Sequence, residues 1–257
     1  MATVVGRGPL AADDNRFFLF GAFAMAFVLV AGFSLHLAFG RSSFSAPAIV
    51  HAHGVVFFGW VVLYVTQTML ATSGSIAWHR RLGWIAAGWM VAMVVVGTIV
   101  AVEAVRLGRA APVYRPAYFL VMAPLTVYTF AALSTAAIVL RRHSAWHKRL
   151  HFCGMAMLVG PGLGRLLPLA LLVPHAGILE FVLVLLFPLA GVVADWRRSG
   201  RVHPAWWWGI GTILAVRALI GLIVASGAAL WLHGVVTAGQ PGAALPPFEF
   251  PPLPLMP

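Results

Sequence analysis

The chain has 257 residues, of which 61% are hydrophobic and 9% charged, and its mean hydropathy of +0.95 lies far outside the range of soluble domains. Its formal net charge of +11 comes without any DNA- or RNA-reading motif. The charge is therefore read as membrane topology and contact with anionic lipid, with no nucleic-acid partner.

A bilayer crossing takes about 20 apolar residues, and seven stretches reach that length. Only helices or closed barrels satisfy every backbone group in lipid. A barrel would alternate in segments of about 10 residues, whereas these runs are continuous. The expected fold is all-α: a single integral-membrane domain over residues 1–257, built as a polytopic helix bundle of about seven transmembrane helices.

Arg7 and Arg16 precede the first span, Phe17–Phe39, which carries His36 near its end. This span is too long for a signal peptide and lacks a small-residue cleavage site, so it is expected to be retained. The second span, Ala48–Ala71, opens on His51 and His53. Being two apart, they point to nearly opposite faces of a regular helix. His53 continues into Phe57, Trp60, Tyr64 and Gln67 at helical spacing. Such a polar and aromatic stripe must find partners inside the bundle. His53 is thus the candidate for an interior role, as an axial ligand, a metal ligand or a hydrogen-bonded core residue, while His51 reaches headgroups.

Trp78-His79-Arg80-Arg81-Leu82 leads into the third span, Leu82–Val102, and Arg106, Arg109 and Arg115 separate that from the fourth, Ala117–Leu140. Arg141, Arg142 and a second motif, Trp146-His147-Lys148-Arg149-Leu150, lead into the fifth, Leu150–Val173. His151 stands four residues after His147 on the same helical face, a spacing that can chelate a metal. Cys153, the lone cysteine, excludes an internal disulfide and is read as a small packing residue. Pro161-Gly162-Leu163-Gly164 is expected to bend or loosen this helix just before Arg165.

The sixth span, Ala176–Ala194, carries Glu180, within reach of Arg165 across the turn at Pro174-His175. The seventh, Ala205–Leu232, places Arg217 about 18 Å along its axis, where an arginine is costly and faces a partner or a wet cavity. Arg165 and Arg217 are therefore candidates for holding an anionic or oxygen-bearing group: haem propionates, a quinone oxygen, a lipid phosphate or a carboxylate substrate. For Arg165 a structural pair with Glu180 is the plainer alternative. The proline-rich tail, 240–257, is expected to be extended and external, lying along the bundle or docking on a partner.

Eleven basic residues fall on the side of the two Trp-His motifs, including Arg7, Arg16 and the Arg197-Arg198 pair, against four on the other. The positive-inside rule places the N-terminus in the cytoplasm and the C-terminus outside. The motifs themselves repeat at an offset of 68 residues, which also sets Trp60 against Tyr128, Gln67 against Thr135 and Gly83 against His151. Spans two and three thus correspond to spans four and five, a parallel repeat about an axis along the membrane normal. His79 and His147 would then stand at equal depth on opposite sides of that axis. Two neutral imidazoles so placed suit a haem iron held between facing helices; a duplicated interfacial anchor accounts for the same motif.

His51-Ala52-His53-Gly54, Trp60, Gln67, His79-Arg80-Arg81-Leu82-Gly83, His147-Lys148-Arg149-Leu150 and Gly200-Arg201-Val202-His203-Pro204 together resemble a family of polytopic inner-membrane proteins of proteobacteria. That resemblance, over roughly residues 45–220, implies bacterial inner-membrane placement and no particular activity. The bundle is more loosely similar to small b-type cytochromes, which hold haem between histidines on neighbouring helices; those ligands lie within spans, whereas His79 and His147 lie at span edges.

Three functions follow as expectations. The first is a redox protein carrying haem b and exchanging electrons with a quinone or a larger membrane complex, with His79 and His147 as ligands and His53 or His151 in a second site. The second is a non-haem enzyme holding iron, copper or zinc on His53, His79, His147 and His151 and acting on a lipid or hydrophobic substrate. The third is a non-catalytic accessory subunit or small transporter in which Arg217 recognises an anion.

Overall fold

The structure is a computed structural model and describes residues 9–42 and 44–252, the side chains of residues 9–13, 169 and 170 excepted. Arg7 and residues 253–257 of the tail, on which expectations were placed, lie outside the described residues. The fold is all-helical, with the elements α1 Pro9–Ala38, α2 Ala48–Ser73, α3 Ile76–Arg106, α4 Pro116–Val139, α5 Ser144–Met157, α6 Gly160–Leu166, α7 Ala176–Ser199, α8 Pro204–Ala225 and α9 Ala228–Thr237. Six of these, α1 (from Asp14), α2, α3, α4, α7 and α8, are long and apolar enough to cross a membrane. The chain is a multi-pass membrane helix bundle.

The fifth apolar stretch is made of two pieces. A continuing helix would need an N–H at residue 161 to bond the Met157 carbonyl, and Pro161 has none. The helix accordingly ends at Met157 and restarts at Gly160 as α6. The backbones of α1 and α6 then meet: a Cβ added at Gly162 would stand 2.9 Å from the Leu29 Cα. Glycine is what permits that approach.

The seventh stretch also differs from the expected Ala205–Leu232 span. α8 stops at Ala225, Gly227 turns the chain at φ +81°, and Leu232 belongs to α9 instead. Ser226 Oγ closes the turn by donating to the Ile223 carbonyl at 2.9 Å. The short α9 packs on α3, α4 and α8 and buries Ala229, His233 and Thr237. Tail residues follow it onto the end of the bundle remote from the Trp-His motifs, where the Ala117 amide donates to the Pro247 carbonyl at 2.9 Å and Arg115 lies over the Phe250 ring.

α5 is the core of the molecule. Every residue from Phe152 to Gly160 is buried, against α4, α8, α7 and α1. Glycines open the room: Gly209 faces Cys153, Gly21 faces Phe152 and Gly154 faces Ser134. The repeated pairs α2–α3 and α4–α5 each form a tight hairpin, and α3 packs on α4 between them. This arrangement brings the two Trp-His turns to the same end of the bundle.

Candidate functional site

Below those turns lies a cavity of about 1340 Å³. Its walls come from the α2 face carrying Trp60, Tyr64 and Gln67, from His79 and Gly83 on α3, and from His147 and His151 on α5. Its mouth is cationic, with Arg80, Arg141, Arg142 and Arg201 around it. The 68-residue repeat sets Gly83 opposite His151, so one wall of the cavity carries an imidazole where the other leaves space.

The His79 and His147 rings stand 6.0 Å apart, centroid to centroid, with their planes at 89°. Each ring is oriented by the helix before it. His79 Nδ1 lies 3.2 Å from the Gln67 carbonyl on α2, and His147 Nδ1 lies 2.8 Å from the Ala137 carbonyl on α4. A carbonyl only accepts, so each Nδ1 carries a proton, and in the neutral form of either ring the lone pair is on Nε2. This is the arrangement by which metal-binding histidines are oriented. His151 sits one turn deeper, its ring 4.9 Å from that of His147 at 88°. Among the described residues no three His, Cys, Asp or Glu side chains converge on a common point.

The deeper wall departs from expectation. The stripe on α2 was expected to find partners within the bundle, yet Trp60 Nε1 and Gln67 Oε1 are both buried with no hydrogen-bond partner among the described residues. The Trp60 ring packs edge-on against Phe130 at 4.9 Å. Tyr64, between them on the same face, is buried. An unpartnered buried polar atom costs about 1–3 kcal/mol.

The mouth holds a charge network that sequence reasoning missed by treating its basic residues as headgroup contacts. Asp195, 4% exposed, receives Arg149 at 2.9 Å (Nε) and 2.6 Å (Nη2) and Arg198 at 2.9 Å. The Trp206 indole N–H and the His203 amide donate to the same carboxylate, at 2.9 and 3.2 Å. Asp14 on α1 pairs with Lys148 and, at 2.7 Å, with Arg198. Burial, reinforced by the Arg149 guanidinium, holds His203 below the usual imidazole range, which keeps its Nδ1 free to accept the Ala205 amide and cap α8. The only forewarning in the sequence is that Asp14 and Asp195, two of six acidic residues, lie beside basic clusters.

The remaining predicted site residues do not join this cavity. Half-buried His53 stacks on Phe57 at 4.2 Å, near Arg165 and His36 at the other end of the bundle. His51 is exposed and bonds the Phe44 carbonyl. Arg165 lies 3.9 Å over the Phe33 ring and donates to the Pro161 carbonyl at 2.9 Å. Arg165 and Glu180 lie near enough to feel each other's charge but form no ion pair among the described residues, and Glu180 accepts the Tyr114 hydroxyl at 2.6 Å. Arg217 meets the Tyr118 hydroxyl and the Phe181 ring. His53, Arg165 and Arg217 are thus separated from the paired histidines. Comparison with family models, curated proteins and solved structures found no match to this chain.

Proposed function

We propose that the chain is a membrane redox protein that holds haem b between His79 and His147 and exchanges electrons with a quinone. The observation that carries this reading is the imidazole pair itself. The His79 and His147 rings, one from each half of the repeat, stand 6.0 Å apart centroid to centroid, near enough that both would hold one metal ion bound between them. Both rings present Nε2 as the free nitrogen, and the cavity they line, about 1340 Å³, exceeds the roughly 300–1,000 Å³ of pockets that enclose drug-sized ligands.

The chain's own residues would do the rest. The Gln67 and Ala137 carbonyls hold the rings in register and raise their basicity. Arg80, Arg141 and Arg142 at the mouth offer cations for carboxylate side chains, which Arg165 and Arg217, away from the cavity, do not. Bound haem supplies reversible one-electron exchange. A single iron or copper on the same pair is the second reading. A three-histidine metal enzyme has less support, since no three ligands converge among the described residues.

The supporting test is the composition of full-length protein purified without a histidine tag under adequate haem supply. One haem per chain is expected, with no other metal at stoichiometry. Stoichiometric iron or copper without porphyrin would favour the second reading, and neither would leave an accessory or transport role.

The proposed location is a bacterial inner membrane, with the Trp-His motifs in the cytoplasm and the C-terminus in the periplasm. Basic asymmetry supports it, as does the resemblance to proteobacterial inner-membrane proteins. Alkaline phosphatase fused after Pro257 is expected to be active and, fused after Ser144, inactive. The reverse pattern would invert the topology.

A further inference from the structure

α7 carries two carboxyls, roughly 22 Å apart along the helix, and the bundle treats them differently. Asp195, at the end of the Trp-His motifs, receives two arginines, an indole and a backbone amide. Glu180, toward the other end, receives the Tyr114 hydroxyl at 2.6 Å on Oε2 and no other donor among the described residues. Its Oε1 turns toward the start of α6, where a Cβ added at Gly160 would stand 2.5 Å away. Glycine at the break between α5 and α6 is what leaves room for the carboxyl.

No ion pair fixes the charge of this half-buried group among the described residues. From α6 the charge of Arg165 reaches it without contact, and that guanidinium lies over the Phe33 ring and donates to the Pro161 carbonyl. From α8, Arg217 reaches Tyr114 and lies over the Phe181 ring, while donating to the Tyr118 hydroxyl. α1 and α5 also pack on α7, and bring no titratable group that the carboxyl feels among the described residues.

A carboxylate within an apolar span is costly without a counterion in contact. One neutral hydroxyl offsets less of that cost than a charged donor would. A protonated carboxyl, by contrast, still accepts the Tyr114 hydroxyl on one oxygen and has an O–H of its own to give. Both forms fit the same seat, so a proton can come and go without rearranging the neighbours.

We infer that Glu180 is a proton-binding site within the membrane, with the Tyr114 hydroxyl holding the carboxyl in its charged and its neutral form. This inference does not rest on haem or a quinone being bound.

The test applies dicyclohexylcarbodiimide, an apolar reagent that modifies protonated carboxyls, to the full-length chain in detergent across about pH 5 to 9. Mass spectrometry locates the label, and infrared difference spectra between the two extremes follow the carbonyl stretch of the protonated acid. Glu180 is expected to be labelled, at a rate that falls about tenfold or more across the range, and the infrared band is expected at the acid end. Glu180→Gln keeps the shape and the Tyr114 hydrogen bond, and is expected to lose both signals. Tyr114→Phe removes the one donor to the charged form and is expected to speed labelling about five- to tenfold at neutral pH. Glu103→Gln, which breaks a pair with Arg106 elsewhere, is expected to leave both signals unchanged.

A Glu180 that neither labels nor gives the band at any pH carries a fixed charge. One that labels at a constant rate, with no change in the band, is permanently neutral. Either result overturns the inference, as does a band that survives Glu180→Gln. If Glu180→Gln aggregates on size exclusion, the located label and its pH dependence in the unmodified chain decide.

Discussion

Replacing both His79 and His147 by alanine is expected to remove all Soret absorption from protein that still elutes as a folded particle. The two rings stand 6.0 Å apart and are only partly buried, so their loss is expected to cost ligands more than packing. Each single variant is expected to retain at most weakly bound, five-coordinate haem. His151→Ala tests the geometry further. Its ring packs on His147 but shares no three-ligand site, so that variant is expected to keep its haem with a shifted potential. A double variant with full haem occupancy would show that other residues hold the group. His53→Ala, remote from the cavity, is expected to leave the absorption unchanged.

Asp195→Asn is expected to destabilise the bundle by about 3–5 kcal/mol, the cost of stranding buried charges after one partner is neutralised. Asp195 is 4% and Arg149 6% exposed, and the carboxylate receives Arg149, Arg198, Trp206 and the His203 amide together. Asparagine keeps the shape but turns an N–H₂ toward these donors. Unfolding in mixed micelles should show the loss, and a variant within about 0.5 kcal/mol of the unmodified chain would show that the network contributes little. Asp14→Asn is expected to cost less, because its side chain is 16% exposed. Arg149 lies two residues from His147 on α5, so the Asp195 variant is also expected to lower haem occupancy by loosening the register of that ring.

Much of this organisation is legible in the chain because the bilayer imposes a single rule, that each crossing be long and apolar. Six of the long helices follow from it, as does the contrast between half-buried His53 and exposed His51, which helical geometry alone predicts. The repeated Trp-His motif also anticipated where its two histidines come together. What escaped reading depends on tertiary contacts. Ser226-Gly227 carries no proline or charge, so hydropathy runs through it while the backbone turns. Asp195 and Arg149 lie 46 residues apart on different helices, and nothing local marks them as partners. The α2 stripe was visible, but whether its polar atoms found partners within the bundle was not.

The most direct test of the proposed haem site is the absorption spectrum of the detergent-purified chain, oxidised and dithionite-reduced, with and without carbon monoxide. Two histidines on one iron predict a six-coordinate, low-spin reduced spectrum that carbon monoxide leaves unchanged, since both axial positions are taken. Colourless protein, or a reduced spectrum that carbon monoxide shifts, would contradict the pairing of His79 and His147 across a haem.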